Sequence, residues 1–315
     1  MKVVIIGYFT ESSKTIIINE FPDDWEIDIV TPEESDLTLE NADVVIPEHI
    51  KIDSEFLSKA KKIKFVQTGA GYDNVDIESC TKKGIWVSNA SGVNATAVAE
   101  HVMAFILSWY KNIPYLNNYM KEKKDEKKLS YRGSELADKT IGIIGVGAIG
   151  QKVAKYCNAF GMRVLGHVRK KINTVENIEF VDLETLYMKS DIVTVHVYLN
   201  DKTRHMINSE AFKKMKKEAI IINTARGSII DEKALIAALK NGDIAGAGLD
   251  VFEKEPLAID DELREFNNVI LTPHTAGMPD GSKFHKKRYA FFIENIKKVI
   301  AGKEPDNALN KIWYK

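Results

Sequence analysis

The feature that most constrains this chain is a glycine-rich turn between an apolar strand and a helix. Residues 140–154 read T-I-G-I-I-G-V-G-A-I-G-Q-K-V-A, so Gly145, Gly147 and Gly150 form G-x-G-x-x-G before a helix that begins near Ile149. The first glycine permits a tight turn, the second lets a pyrophosphate approach the backbone, and the third lets the helix pack closely on the strand. The helix N-terminus presents unpaired N–H groups to the phosphates. The turn therefore predicts a doubly wound dinucleotide-binding domain.

Short β-branched runs alternate with helical patterns on both sides of one long apolar helix. Five strand candidates come before this helix, at residues 3–7, 27–30, 43–46, 64–68 and 86–88. Six come after it, at residues 140–144, 163–168, 192–197, 219–223, 246–250 and 269–271. Such alternation is typical of βαβ units and predicts two α/β domains with parallel sheets. The long helix is expected at about 95–112, with Pro114 beyond it, and a last helix at about 282–301.

The composition excludes several classes of protein. Lys and Arg total 44 against 45 Asp and Glu, a formal net charge of −1, so the excess of basic residues expected of a nucleic-acid-binding protein is missing. Two cysteines, Cys80 and Cys157, cannot form a disulfide framework and fit a reducing compartment. The first residues lack the pattern of a secretory signal, so none is expected. Glu100 and His101 interrupt the richest apolar stretch, which is too short and too polar to span a bilayer. We expect a cytoplasmic enzyme that binds neither nucleic acid nor a membrane.

The end of the second strand in the dinucleotide-binding domain indicates which cofactor binds. An NAD enzyme normally has Asp or Glu about 20 residues after the glycine turn, where it binds the ribose 2′-hydroxyl. Here Val168 occupies that position, and Arg169, Lys170 and Lys171 follow it. Without the carboxylate nothing repels a 2′-phosphate, and the planar fork of Arg169 can bind one. The sequence favours NADP(H) over NAD(H); the alternative is that this basic cluster is a solvated turn.

Three further segments lie near predicted strand ends. They read I-I-I-N-T-A-R-G-S at 220–228, G-L-D-V-F-E-K-E-P at 248–256 and L-T-P-H-T-A-G at 271–277. With the glycine turn, with Q-T-G-A-G-Y-D-N-V-D at 67–76 and with N-A-T-A-V-A-E-H at 94–101, they make the chain similar to the D-isomer-specific 2-hydroxyacid dehydrogenases over nearly its whole length. The resemblance implies an α/β fold in which a Rossmann dinucleotide-binding domain, residues 95–279, is inserted into a flavodoxin-like substrate domain built from residues 1–94 and 280–315.

The resemblance also implies the catalytic residues Arg226, Glu255 and His274. Reduction of a 2-oxo acid moves a hydride from the cofactor to the keto carbon and a proton to the keto oxygen. Arg226 can bind the substrate carboxylate and polarise the keto oxygen with paired donors. His274 is the expected proton donor because imidazole titrates near neutrality, and Glu255 would hold the ring and favour its protonated form. Glu253 is a neighbouring alternative to Glu255.

Further contacts are implied by the same resemblance, and no metal ion is among them. The cofactor-binding positions are Gly145, Gly147, Ala148, Ile149, Gly150, Val168, Arg169, Lys170, Thr203, Thr224, Ala225, Asp250 and Gly277. Asp250 is expected to meet the nicotinamide carboxamide, and Thr203 to lie near the cofactor phosphates. The substrate carboxylate is expected to meet the backbone N–H groups of Gly69, Ala70 and Gly71, together with Arg226 and His274. The alternative for residues 69–71 is an ordinary glycine turn.

Departures from the family pattern narrow the substrate. The pocket loop, where relatives acting on 3-phosphoglycerate have arginine, here contains Pro47, Glu48 and His49, and a carboxylate there would repel a phosphate. Formate-oxidising relatives have Gln where this chain has Glu255, so Glu255 argues against formate oxidation. Tyr198 stands where the family usually has Pro, which could reshape the cofactor wall. The chain ends at Lys315, and no regulatory domain is expected after it.

Together these observations predict an NADP(H)-preferring reductase of a small unphosphorylated 2-oxo acid, such as glyoxylate or hydroxypyruvate. Two alternatives stay open: an NAD-dependent phosphoglycerate or D-lactate dehydrogenase, and a dinucleotide-sensing binding protein like the corepressor relatives. The helix at 95–112 is apolar on more than one face, so we expect a homodimer that covers it.

Overall fold

A computed structural model describes residues 1–48, 50–129, 133–169, 175–277 and 282–312. The strands within these ranges are β1 (Lys2–Ile6), β2 (Glu26–Val30), β3 (Val44–Pro47), β4 (Phe65–Thr68), β5 (Trp86–Asn89), β6 (Thr140–Ile144), β7 (Arg163–His167), β8 (Glu179–Phe180), β9 (Ile192–Val195), β10 (Ile220–Asn223), β11 (Gly246–Leu249) and β12 (Val269–Leu271). The α-helices are α1 (Glu11–Ile18), α2 (Ser54–Lys59), α3 (Ile77–Lys82), α4 (Ala95–Tyr110), α5 (Ile113–Lys121), α6 (Ala148–Ala159), α7 (Leu183–Lys189), α8 (Ser209–Lys214), α9 (Glu232–Asn241) and α10 (Ser282–Ile300). The chain divides into a first unit, Met1–Asn94 with Pro279–Lys315, and a second unit, Ala95–Met278.

The first unit is built on a five-stranded parallel sheet in the order β2-β1-β3-β4-β5, which is the flavodoxin-like order. Both faces of this sheet are covered. Val3 and Ile5 of β1 pack in one buried cluster with Phe292 of α10, whereas Val4 and Ile6 pack in another. Burial on both sides explains why β1 is a continuous apolar run rather than an alternating one.

Buried polar groups attach the C-terminal part of the chain to this sheet. The Asn295 side-chain amide of α10 donates to Gln67 Oε1 of β4 at 2.9 Å and to Ser88 Oγ of β5 at 3.1 Å. Its carbonyl oxygen accepts from the Asp306 N–H at 2.8 Å. Because a buried amide is stable only when hydrogen-bonded, these contacts fix α10 against β4 and β5.

The second unit has a seven-stranded parallel sheet in the order β12-β11-β10-β9-β6-β7-β8. Counted from β6 as the first strand, this is the doubly wound order 3-2-1-4-5-6 with β12 added at one edge. The direction of winding reverses between β6 and β9. Open α/β sheets bind ligands at the carboxyl ends of the strands at such a reversal, so the fold places the glycine turn where a ligand is expected.

The long helix α4 is covered within its own unit. Val98, Val102, Phe105 and Ile106 are buried there, and a Cβ added to Gly248 of β11 would lie 2.9 Å from the Phe105 ring. The apolar faces of α4 therefore do not themselves require a partner chain, and the reason given above for a dimer is not supported. Within the ranges that the structure describes, no helix is long and apolar enough to cross a membrane.

Several element bounds differ from those expected by one or two residues, and two elements were not predicted. The expected strand 246–250 ends at Leu249, the glycine turn leads into a helix that starts at Ala148, and β8 adds a seventh strand. The expected helix 95–112 ends at Tyr110, where Asn112, with a φ of 53°, turns the chain into α5. Pro114 lies in the first turn of α5, where proline is tolerated because its missing N–H has no intrahelical acceptor.

Candidate active site

The three glycines of the turn after β6 differ in the reason why each position has no side chain. Gly145 has a φ of 97°, and a Cβ there would lie 2.4 Å from the His196 carbonyl oxygen. A Cβ at Gly150 would lie 2.3 Å from the Gly145 carbonyl oxygen, so helix and turn meet there without room for a side chain. A Cβ at Gly147, the N-cap of α6, would meet nothing within 4 Å. Protein packing does not require Gly147, which fits close approach of a ligand phosphate.

The end of β7 lies beside this turn, because the Gly145 N–H donates to the His167 carbonyl at 2.9 Å. Val168 is half-buried against the core, and Arg169 is exposed. The exposed Arg169 thus directly follows Val168, the position at which NAD enzymes carry the carboxylate that binds the ribose. Lys170, also expected at the cofactor, lies outside the described residues.

The histidine next to the turn is neutral. His196 follows β9, its Nε2 lies 3.0 Å from Thr194 Oγ1, and burial lowers the pKa of His196 to about 3. At physiological pH it adds no positive charge at this position. The helix N-terminus and Arg169 are then the groups that would attract phosphates here.

His274 and Glu255 form a hydrogen-bonded pair. His274 Nδ1 lies 2.6 Å from Glu255 Oε2, and Glu255 Oε1 accepts from the Phe252 N–H at 3.0 Å. The two side chains are 24% and 33% exposed, so solvent and a substrate can reach them. With Nδ1 facing the carboxylate, Nε2 is the nitrogen that can transfer a proton to a substrate.

The loop that presents His274 is organised by Asp250, at the end of β11. The buried Asp250 carboxylate accepts hydrogen bonds from Thr272 Oγ1 at 2.6 Å, from the Thr275 N–H at 2.8 Å and from the Ala276 N–H at 2.9 Å. The His274 N–H donates to the Asp250 carbonyl at 2.8 Å, and the His274 backbone has a φ of 54°. Asp250 was expected only at the nicotinamide; that contact stays a prediction, and its hydrogen bonds show that it also fixes the loop.

His101 of α4 extends this network, and sequence reasoning missed its part. Its Nε2 lies 3.0 Å from Thr272 Oγ1. Because the Thr272 hydroxyl donates to Asp250, it must accept from His101, so His101 Nε2 carries a hydrogen. The available signal was a histidine, next to Glu100, within a mostly apolar helix.

Arg226 follows β10 and begins a short 3-10 turn, Gly227–Ile229. Its Nη1 donates to the Ala225 carbonyl at 2.8 Å, and the Asn223 side chain donates to the Arg226 carbonyl at 2.9 Å. A Cβ at Gly227 would lie 1.8 Å from the Phe252 carbonyl carbon, so this segment packs directly on the one that leads to Glu255. Arg226, Glu255 and His274 thus follow the carboxyl ends of three neighbouring strands, where parallel sheets bind ligands.

Glu253, the alternative partner for His274, makes other contacts. Its Oε1 lies 2.7 Å from His205 Nε2 and accepts from the Glu232 N–H at 3.2 Å. Glu232 Oε2 in turn accepts from the Glu253 N–H at 3.1 Å, and burial raises the pKa of Glu232. The geometry places Glu255, not Glu253, against His274.

Thr203 and Thr224 occupy two further expected cofactor positions. Thr203 Oγ1 donates to the Tyr198 carbonyl at 2.7 Å and accepts from the Asn200 N–H at 2.8 Å, so it shapes the turn at 198–203. The buried hydroxyl of Thr224 has no hydrogen-bond partner among the described residues and could take one from a ligand. The contacts of both residues with a cofactor, like those of Ala225 and Gly277, stay predictions.

The first unit contains the loop expected at the substrate carboxylate, directly after β4. The Gly69 carbonyl accepts from the Ala90 N–H at 2.9 Å, and the Ala70 carbonyl accepts from Asn89 Nδ2 at 2.7 Å. Within the described residues, the N–H groups of 69–71 donate no hydrogen bond. The loop is therefore fixed through its carbonyls, and its N–H groups are available to an anion.

Arg288 of α10 is a residue that sequence reasoning did not identify. Its guanidinium forms a salt bridge with Glu48, with side chains only 3% and 9% exposed. A Cβ added to Gly69 would lie 3.3 Å from Arg288 Nη2. Glu48 is therefore one half of a buried ion pair rather than an isolated negative charge. His49 lies outside the described residues.

Comparison with known proteins shows what the chain is similar to. A family model described as D-isomer specific 2-hydroxyacid dehydrogenase, NAD binding domain, matches residues 103–276. A glyoxylate reductase of Thermococcus litoralis is 42% identical over 274 residues, which cover 83% of this chain and 81% of that protein. A D-3-phosphoglycerate dehydrogenase of Methanocaldococcus jannaschii is 40% identical over 287 residues, and these cover 89% of this chain but only 54% of that longer protein. The solved structure of an acyclic imino acid reductase in complex with NADPH and D-Arg is 35% identical, with a TM-score of 0.85 over 98% of this chain and 100% of that one.

Proposed function

Because the chain belongs to the D-isomer-specific 2-hydroxyacid dehydrogenases, a family of NAD(P)-dependent oxidoreductases, we propose that it reduces a small unphosphorylated 2-oxo acid with NADPH. Glyoxylate and hydroxypyruvate are the preferred candidates. The observation that carries the proposal is the 2.6 Å contact between His274 Nδ1 and Glu255 Oε2, with Arg226 after the neighbouring strand. This combination provides a proton donor and a carboxylate-binding cation, the two groups that the reduction requires besides a hydride.

The glycine turn and the N-terminus of α6 would hold the dinucleotide, because Gly147 leaves space for its phosphates. When bound, the reduced cofactor supplies the hydride that reaches the keto carbon. Arg226 binds the substrate carboxylate and polarises the keto oxygen. His274 donates the proton from Nε2 to that oxygen as negative charge develops, and Glu255 holds the ring in place through Nδ1. The N–H groups of residues 69–71 provide further donors to the carboxylate.

The preference for NADPH rests on the end of β7. Val168 supplies no carboxylate to bind a ribose 2′-hydroxyl, and the exposed Arg169 beside it suits a 2′-phosphate. NADH remains the alternative cofactor.

The proposal also covers the oligomeric state and the cellular location. We propose a homodimer that uses α5, a nine-residue helix with no buried residue, on which Ile113 and Met120 are exposed on the same face. We propose a cytoplasmic location because Cys80 and Cys157 are both buried with free thiols, as expected in a reducing compartment.

Absorbance of the reduced nicotinamide tests the function. NADPH and NADH are each mixed with the protein and with glyoxylate, hydroxypyruvate, pyruvate or 3-phosphohydroxypyruvate. Rapid, NADPH-preferring oxidation with the first two acids is expected, and His274→Ala should abolish most of it. Faster turnover of pyruvate or the phosphorylated acid with NADH would support the alternative dehydrogenases. Dinucleotide binding without oxidation by any 2-oxo acid would indicate a sensor.

A further inference from the structure

A buried ion pair lies at the carboxyl end of the first unit's sheet. β1, β3 and β4 are neighbours, and they end at Ile6, Pro47 and Thr68. The next residue of each strand lies beside the pair: a Cβ at Gly7 would lie 2.8 Å from Glu48 Cβ, and a Cβ at Gly69 would lie 3.3 Å from Arg288 Nη2. Glu48 itself follows β3. The pair therefore occupies the end of the sheet at which ligands bind in open α/β folds.

The position of the pair is costly for the fold. Arg288 is 2% exposed, and its guanidinium carbon lies 5.1 Å from the centre of the Phe292 ring and 5.8 Å from that of Tyr289. Removing two charges from water costs free energy that their mutual attraction often fails to recover, and well-packed apolar residues frequently do as well. A buried pair in this position is weak evidence for stability, and its location beside the Gly69 loop gives it another use.

We propose that the Glu48–Arg288 pair sets the charge of the substrate that this protein accepts, restricting it to 2-oxo acids with one carboxylate and an uncharged remainder. The inference deepens the proposed function and rests on it. Glu48 neutralises the guanidinium beside Gly69, so the N–H groups of the loop bind one carboxylate. No unbalanced positive charge is left to attract a phosphate or a second carboxylate. Charge selection then depends on the net charge of Glu48 and Arg288 together rather than on repulsion by Glu48 alone.

Variants that make the net charge of the pair more positive or more negative test the proposal. The measured quantity is the ratio of kcat/KM for oxaloacetate, a dianion, to kcat/KM for glyoxylate, a monoanion. Glu48→Gln removes the negative charge of the pair and should raise the ratio about tenfold or more, because a unit charge acts over a few ångströms in a weakly polar interior. Arg288→Met leaves Glu48 unbalanced and should lower the ratio. The double variant restores neutrality and should return the ratio to within about threefold of wild type.

A matched control removes one negative charge at another position in the first unit. Glu26 begins β2 at the opposite, amino end of the parallel sheet, and its side chain is 63% exposed. Glu26→Gln should leave the ratio unchanged. Circular dichroism verifies folding of each variant. Each single variant removes one member of a buried ion pair, which often unfolds a protein. The double variant and whichever single variant folds therefore decide the outcome.

Binding without turnover separates this inference from the proposed function. Calorimetry measures oxamate, a monoanion, and oxalate, a dianion, against each folded variant with cofactor present. If the wild type reduces no 2-oxo acid, the proposed function is wrong, but a shift toward oxalate in Glu48→Gln would still support charge selection by the pair. If the wild type reduces glyoxylate while the folded variants keep its ratio of rates and its order of affinities, the inference is wrong.

Discussion

The Thr272 hydroxyl donates a 2.6 Å hydrogen bond to the buried carboxylate of Asp250. This bond joins the residue that follows β12 to the residue that follows β11, and His274 lies two positions further along the same loop. A general acid must be held within hydrogen-bonding reach of its substrate, so the loop's geometry bears directly on the proposed chemistry.

Replacement of Thr272 should therefore lower activity without removing any chemical group from the reaction. Thr272→Val takes one hydrogen bond from Asp250 and the acceptor from His101, at a cost of about 1–3 kcal/mol in the free energy of unfolding. We expect a lower kcat with nearly unchanged cofactor affinity, and faster amide exchange in residues 272–277. Thr275→Val is the matched control, because Thr275 is exposed and binds Asp250 through its backbone N–H, which the substitution keeps. Equal effects of the two variants would contradict this role.

The His274–Glu255 pair predicts how two variants lower activity. Reduction requires a proton donor at the keto oxygen, and Glu255 holds the His274 ring through the 2.6 Å contact between Oε2 and Nδ1. Glu255→Gln replaces this charged partner with a neutral one, so it should lower kcat/KM, but less than loss of the ring does. His274→Ala should lower kcat/KM roughly 10²- to 10⁴-fold while NADPH affinity is retained.

Glu253→Gln is the control for that experiment, because Glu253 contacts His205 rather than His274. Its kcat/KM should match the wild type. An unchanged kcat/KM in Glu255→Gln would show that Glu255 does not hold the ring, and near-normal turnover in His274→Ala would show that another group supplies the proton.

The glycines of the turn should separate folding from cofactor binding. Gly145→Ala forces a side chain into a backbone with a φ of 97° and against the His196 carbonyl, which should cost at least about 1–3 kcal/mol in stability. Gly147→Ala meets no atom within 4 Å and should fold normally while binding NADPH more weakly. Thermal unfolding and fluorescence titration measure the two effects. Full cofactor affinity in Gly147→Ala would argue against the phosphates lying there.

The cofactor preference can be reversed at the end of β7. Combining Val168→Asp with Arg169→Gln should favour NADH, and loss of one strong phosphate contact should weaken NADPH binding roughly ten- to a hundredfold. Arg163→Gln, at the opposite end of the strand and paired with Glu179, is the control. A wild-type preference for NADH would show that the basic cluster is only a solvated turn.

The homodimer is tested by mass. Light scattering at micromolar concentration should give about twice the 35.4 kDa of one chain. Placing a charge on the exposed face of α5, with Met120→Glu, should shift the protein toward the monomer, whereas Lys121→Glu beside it should do so less. A wild-type mass near that of one chain would contradict the proposal.

The local features of this protein could be predicted from its sequence. The glycine turn and the apolar strand runs depend on neighbouring residues. The strand and the helix that flank Gly145 therefore follow from pattern, as do the predicted strands that precede Arg226, Glu255 and His274. Where the local signal is short, prediction failed. β8 has only two residues, too few to show an alternation of apolar and polar side chains. The turn at Asn112 depends on a left-handed backbone conformation that the amino-acid sequence does not reveal.

Partner choice was decided by the tertiary structure. Glu253 and Glu255 lie at similar distances before His274 in the sequence. In the fold, Gly227 packs on Phe252 and His205 contacts Glu253, and Glu255 is the glutamate that contacts His274. The Asp250 network and the Glu48–Arg288 pair likewise join residues that are far apart in the chain, the latter by 240 positions. Periodicity and turn chemistry act over a few residues, whereas the charge and hydrogen-bond partners of a buried group are set by whichever elements the fold packs against it.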